Sequence, residues 1–139
     1  MAKVFFVGNR MAGDDGIALA VLDMLKDELA GVQMQESTGT DIADMAEKEI
    51  VVVDAFIGKP GEVKEIRLQE IAQNNPVSAH DLGAAQGIML LKSIQPKTKV
   101  RIIGIGIRKM QGYGGISKEI RDKLPQIKKK VAAKIREFS

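Results

Sequence analysis

Val4-Phe5-Phe6-Val7-Gly8 is a continuous apolar run rich in β-branched and aromatic residues, the pattern of a strand covered on both faces. After a polar loop, Ile17, Leu19, Ala20, Val21, Met24, Leu25 and Leu29 recur at helical spacing, with Gly31 as C-cap. Val32–Glu36 alternates weakly and predicts a second strand, and Thr40 through Lys48 a short helix with Thr40 as N-cap. Ile50–Val53 is the most strongly buried strand pattern, closed by Asp54. Lys59-Pro60-Gly61 marks a turn, after which Val63, Ile66 and Leu68 predict a weaker, half-exposed strand. Leu82 to Ile94 returns to helical spacing and ends at Pro96; Val100–Ile105 is a third buried strand. Beyond a glycine-rich stretch (Gly112, Gly114, Gly115), Ser117 is a good N-cap for a helix whose stripe is Ile120, Leu124, Ile127, Val131, Ile135 and Phe138. Pro125 kinks that helix or splits it in two.

Strands alternating with helices predict an α/β fold: a three-layer sandwich with a twisted, mostly parallel sheet of about five strands, one of them antiparallel, flanked by helices. At roughly 100–200 residues per domain, residues 1–139 are expected to form a single domain. Ligand sites in such folds collect beyond the carboxyl ends of the strands. The loops after Gly8, after Val53 and before Leu82 are therefore expected to be neighbours.

Composition narrows the chemistry available there. With no cysteine and a single histidine, disulfides, thiolate metal sites, cysteine nucleophiles and any site built on a histidine pair are excluded. Aromatic residues are 4% of the chain, without tryptophan, too few for base-stacking platforms. The net charge of +3 is uneven: residues 118–139 carry eight Lys/Arg against three Asp/Glu, leaving the rest slightly acidic. Lys128, Lys129, Lys130 and Lys134 fall mostly off the apolar stripe and read as a solvated face, so no nucleic-acid partner is expected. The seven methionines read as core filler. No apolar run reaches the ~18–20 residues of a membrane span, and the apolar start is too short for a signal-peptide core. The expectation is a cytoplasmic protein without a membrane partner.

Three residues, each at a predicted strand end or helix start, carry the candidate chemistry. In Gly8-Asn9-Arg10-Met11-Ala12-Gly13-Asp14-Asp15-Gly16 the glycines mimic a phosphate loop, but Asp14 and Asp15 stand where Lys and Ser/Thr are needed. Two carboxylates repel phosphate, so the loop suits a cation or hydrogen-bond donors. Asp14 reads as a helix N-cap; Asp15 is open between an acid favoured by the helix dipole and a functional group. Asp54 closes a fully apolar strand, where a charge needs partners, water or a metal. His80, the only imidazole, lies in the loop Asn75–Asp81 before a helix. Asp, Asp and His together suit a divalent ion bound incompletely, with open positions. No Gly-x-Ser-x-Gly elbow supports a serine hydrolase.

These blocks resemble the hydrogenase maturation proteases, nickel-dependent endopeptidases of [NiFe]-hydrogenase assembly. The resemblance runs through Val7–Gly16, Gly39-Thr40, Val51-Val52-Val53-Asp54-Ala55, Ser78-Ala79-His80-Asp81-Leu82-Gly83, Ile103-Gly104-Ile105 and Gly115-Ile116-Ser117, in family order over nearly the whole chain. It implies that Asp15, Asp54 and His80 contact the metal, with Asp15 where many members carry glutamate and Ala18 where many carry glycine. The segment from Gly58 to Pro76 is shorter and more polar than is typical of the family. The implied substrate is a hydrogenase large-subunit precursor, whose C-terminal extension is removed after nickel insertion. Nickel is then presented by the substrate, with other divalent ions able to substitute, and no further cofactor is implied. Asp15 and Asp54 would carry hydrolysis as well as recognition, with His80 mainly a ligand. Whether the metal or a carboxylate activates the water stays open, and a monomer is expected. Gly39-Thr40-Asp41 and Gln111–Gly115 either border the substrate groove or are helix-entry turns. Two other classes compete: a non-catalytic chaperone docking on the nickel centre, and a small α/β enzyme such as a peptidyl-tRNA or nucleoside hydrolase, which the acidic loop disfavours.

Overall fold

The computed structural model describes residues 3–44, 48–72, 84–108 and 114–138. Five strands form one sheet: β1 (Lys3–Val7), β2 (Gln33–Ser37), β3 (Glu49–Ile57), β4 (Val63–Ile66) and β5 (Lys99–Ile107), in the order β2-β1-β3-β5-β4. β2, β1, β3 and β5 run parallel, and β4 joins the edge antiparallel to β5 with Val63 opposite Ile105. The helices are α1 (Ile17–Leu25), α2 (Leu68–Ala72), α3 (Ala85–Ile94), α4 (Lys118–Arg121) and α5 (Leu124–Phe138), with 3-10 turns at Gly13–Gly16 and Thr40–Asp44. The mostly parallel sheet between helical layers is the fold expected.

Strand alternation sorts the core into two halves. Val4, Phe6, Val51, Val53, Ala55, Ile103, Ile105 and Ile107 pack against α1 and α5 through Ile17, Val21, Leu25, Ile127, Val131 and Ile135. Phe5, Val7, Ile50, Val52, Phe56 and Ile102 face the other way, onto Ile42 and α3 through Ala85, Ile88 and Leu91. Both faces of the sheet are thus covered, so the central strands read as unbroken apolar runs rather than as alternating ones. Burying each of the larger side chains is worth roughly 1.5–3 kcal/mol. Even numbers in β3 belong to the α3 face, and Asp54 takes its place in that series.

Several boundaries differ from the sequence expectation, each for a local reason. β3 does not stop at Asp54: its pairing with β5 continues to Ile57 opposite Ile107, so Asp54 lies inside the strand. Gly104, opposite Asp54, keeps the α3 face narrow there; a Cβ on it would meet Ile66 Cδ1 at 2.5 Å and Phe56 Cδ1 at 2.7 Å. α1 ends at Leu25 rather than near Leu29, because the Glu28 N–H bonds back to the Leu25 carbonyl at 2.8 Å and tightens the last turn. Leu29 stays buried, and Gly31 takes the positive φ of 80° that ends the excursion. The predicted helix from Thr40 is a 3-10 turn over Thr40–Asp44, and the predicted strand at Leu68 is the start of α2. The last helix is in two pieces, α4 and α5, with Pro125 in the first turn of α5 where its missing N–H costs nothing. Met11 and Met89 are exposed rather than core filler. Among the described residues no helix is long and apolar enough to cross a membrane.

The order β2-β1-β3 makes the carboxyl end of β1 and β3 the topological switch point, where the chain leaves β1 first to one side and later returns to the other. The return to β3 passes beneath α3, where Gly87 approaches Gly39. A Cβ on Gly87 would lie 2.1 Å from the Gly39 carbonyl oxygen, which is backbone and cannot swing away. Inside a helix Gly→Ala ordinarily stabilises by about 0.5–1 kcal/mol. Here the sign reverses: Gly87→Ala should destabilise by about 1–3 kcal/mol, as overpacking does, measured by the urea unfolding midpoint.

Candidate active site

The loop between β1 and α1 is folded tightly by its own backbone. Asn9 Oδ1 accepts the Met11 N–H at 2.9 Å, and the Asn9 carbonyl accepts the Ala12 N–H at 3.1 Å. This brings the 3-10 turn Gly13–Gly16 back over the end of β1. A Cβ on Gly8 would stand 2.4 Å from the Asp15 carbonyl oxygen, so only glycine admits the approach. The turn also packs against β3. Outside, Arg10 forks onto Asp23 of α1 (Nη1–Oδ2 2.7 Å, Nη2–Oδ1 3.1 Å) and reaches Glu36 of β2 at 3.2 Å. The two carboxylates hold the guanidinium above its usual range, and Arg10 in turn holds Asp23 below the ordinary carboxylate range. The fork geometry joins the loop to the two elements that follow it.

Asp15 is half-buried in this loop. Burial raises its pKa above the ordinary aspartate value, opposed in part by a hydrogen bond from the Asn9 backbone. That is the environment of a carboxylate made a better proton acceptor than an exposed one.

Asp54 is fully buried. The β1–β3 ladder ends at Phe6–Val53, and just beyond that end the Ala55 N–H is donated to Asp54 Oδ1 at 2.8 Å. Oδ2 accepts the Ala84 N–H at 2.9 Å, across 30 residues of chain. Backbone donors therefore replace water around a carboxylate set among apolar side chains. Ala84 is the residue at which the described chain resumes before α3. His80 and the rest of 73–83 lie outside the described residues, as do 109–113.

The structure thus sets Asp15 in the turn that follows β1 and Asp54 inside the neighbouring strand β3, against which that turn packs. Among the described residues no three His, Asp or Glu side chains gather as a metal cluster. Asp14 does not cap a helix: the residue before the 3-10 turn is Ala12, and Gly16 precedes α1 with no side-chain cap. Its carboxylate instead accepts the backbone N–H and the hydroxyl of Ser117, at 2.7 and 2.8 Å. Gly114 bridges the same loop, accepting from the Gly13 N–H at 3.1 Å and donating to the Met11 carbonyl at 3.0 Å. Sequence reasoning left Asp14, Ser117 and Arg10 out of the site. Their only signal was charge or a cap preference, and neither names a partner. Asp41 is turned inward to the Ser37 hydroxyl, which also accepts the Gly39 N–H at 3.0 Å.

A mostly parallel sheet with an acidic loop after β1 and no phosphate-binding lysine in that loop defines a small α/β protein without a phosphate-loop site. The sequence model of the HycI group, described as hydrogenase maturation protease, matches residues 29–134, and the chain belongs to that family. It is accordingly a peptidase of hydrogenase maturation. Three solved structures show the same fold. The [NiFe] hydrogenase maturation protease HybD from Thermococcus kodakarensis is 27% identical, with TM-score 0.69 over 97% of this chain and 99% of that one. The hydrogenase maturating endopeptidase HybD from Escherichia coli is 23% identical, with TM-score 0.73 over 100% and 94%. The endopeptidase HycI from Escherichia coli is 22% identical, with TM-score 0.70 over 93% and 88%. Among curated protein sequences none matches.

The raised Asp15 pKa has a consequence for stability. Folding binds that proton more tightly than the unfolded chain does, so Asp15 favours the fold below pH 3.8 and the contribution is lost as pH rises through its folded value. Asp15→Asn, which keeps the shape without the charge, should raise Tm relative to the parent at pH 7. The gap should close as pH falls towards 4 in parallel thermal melts.

Proposed function

We propose that this protein is the endopeptidase that removes the C-terminal extension of a [NiFe]-hydrogenase large-subunit precursor after nickel insertion, acting as a monomer in the cytoplasm. It recognises the nickel bound in the precursor through Asp15, Asp54 and His80. The observation that supports this most is that the turn carrying Asp15 packs against β3, the strand carrying Asp54, in a chain of this family. The Ala84 amide, four residues after His80, is moreover bonded to the Asp54 carboxylate.

The donor set suits the cargo. Imidazole and carboxylates complete the coordination of a divalent ion already held by the substrate's thiolates. Engagement then depends on the ion being present, and only a loaded precursor is held. Docking converts hydrolysis into a reaction within one complex and supplies much of the rate through orientation. Asp15, with its raised pKa, takes the proton of the attacking water as the oxygen adds to the scissile carbonyl. The same proton is returned to the leaving amine when the tetrahedral adduct collapses. Asp54 shares in recognition and hydrolysis, and His80 acts mainly as a ligand.

The test is cleavage of a matched precursor with and without nickel, followed by the mass of the large subunit. The parent protein should shorten only the loaded form. Asp15→Ala should lower the rate by about 10²–10⁴-fold, the range of a positioned acid–base group, with Asp54→Ala and His80→Ala also impaired. Full activity in Asp15→Ala or Asp54→Ala overturns the assignment. Nickel-dependent complex formation with no peptide released would make the protein a docking chaperone instead.

A further inference from the structure

Two neighbouring acids in one turn have different surroundings. In a 3-10 turn, with about three residues per turn, consecutive side chains diverge by about 120°. The Asp15 backbone carbonyl lies over Gly8 just past β1, and its carboxylate takes a hydrogen bond from the Asn9 backbone. Asp14 faces Ser117, 103 residues further along, and both of its oxygens are engaged there. Ser117 is itself fixed: it is the N-cap of α4, its hydroxyl accepting from the Ile120 N–H at 3.4 Å, and Ile120 is fully buried in the core beneath α1 and α5. The Ala12–Gly114 bridge lies beside it.

Resting on the protease reading above, we propose that Asp14 is a positioning residue for that reaction. It ties the turn that presents Asp15 to the exposed N-cap of α4, a helix anchored in the core by Ile120. The turn is short and internally bonded, so its two acids move together. Losing the Ser117 anchor leaves the Asp15 carboxylate to sample orientations away from the bond to be cut. A small misplacement of a reacting group lowers the chemical step more than it lowers binding. The aspartate's shape matters more than its charge here: asparagine can accept the Ser117 N–H and donate to its hydroxyl.

The experiment compares Asp14→Ala, Asp14→Asn and Ser117→Ala in the full-length protein by precursor-cleavage kinetics and amide hydrogen exchange. Asp14→Ala should lower kcat tenfold or more with KM within twofold, and speed exchange at the Gly13 and Ser117 amides tenfold or more. Asp14→Asn should recover most of both. If Asp14→Ala does not fold, Ser117→Ala reads the tie from its other end and should move both readouts in the same direction. Unchanged exchange, unchanged kcat, or an asparagine variant as impaired as alanine each overturns the proposal. Failure of the parent protein to cleave any loaded precursor overturns the protease reading instead, and the exchange measurements then decide the tie by themselves.

Discussion

A carboxylate buried in an apolar sheet is the constraint around which the rest of this molecule is arranged. Asp54 has no exposed surface, and its flanking strand residues are valine, alanine and phenylalanine. Isolated, such a charge would not survive burial. It is supported because the β1–β3 ladder stops at Phe6–Val53, and backbone N–H groups from Ala55 and Ala84 come to its oxygens just past that end. The first donor is local, while the second ties the entry to α3 onto the middle of the sheet. One side chain therefore takes a donor from its own strand and another from Ala84, just before α3.

The same end of the sheet shows how two chemically identical residues acquire separate roles. Asp14 is satisfied by donors from a distant helix start, whereas Asp15 keeps one backbone donor and is half-buried. Desolvation raises the proton affinity of Asp15, so its charged form is the less comfortable one in the folded chain. The fold tolerates that cost because α1, β2 and α4 brace the loop from outside, through Arg10 on one flank and Ser117 on the other. Stability is supplied at the periphery so that the centre can carry a less comfortable charge.

Much of this was legible in the chain itself. The β-branched runs at Val4–Val7, Ile50–Val53 and Val100–Ile105 identified the central strands because burial on both faces leaves no room for polar alternation. The stripe from Ile120 to Phe138 identified the last helix, and Pro125 its division. Asp15 and Asp54 stood out because acids in glycine-rich or fully apolar contexts require an explanation. The strand limits were less legible: β3 runs past Asp54 because β5 pairs with it there, which no property of residues 50–57 alone announces. The N-cap expected for Asp14 failed for a similar reason, since a carboxylate at a helix start has several possible donors.

By itself, then, the sequence determined the central strands and the principal helices, which side chains must be buried, and which acids stand in glycine-rich or apolar surroundings. Those properties follow from local periodicity and from the cost of wetting apolar groups. The tertiary structure alone decided where each ladder ends, that Asp54 bonds to Ala84, and that Asp14 bonds to Ser117 while Asp15 does not. Hydrogen bonds between residues 30 or 103 positions apart depend on which loops the strand order brings together. Nothing in either local pattern specifies the other.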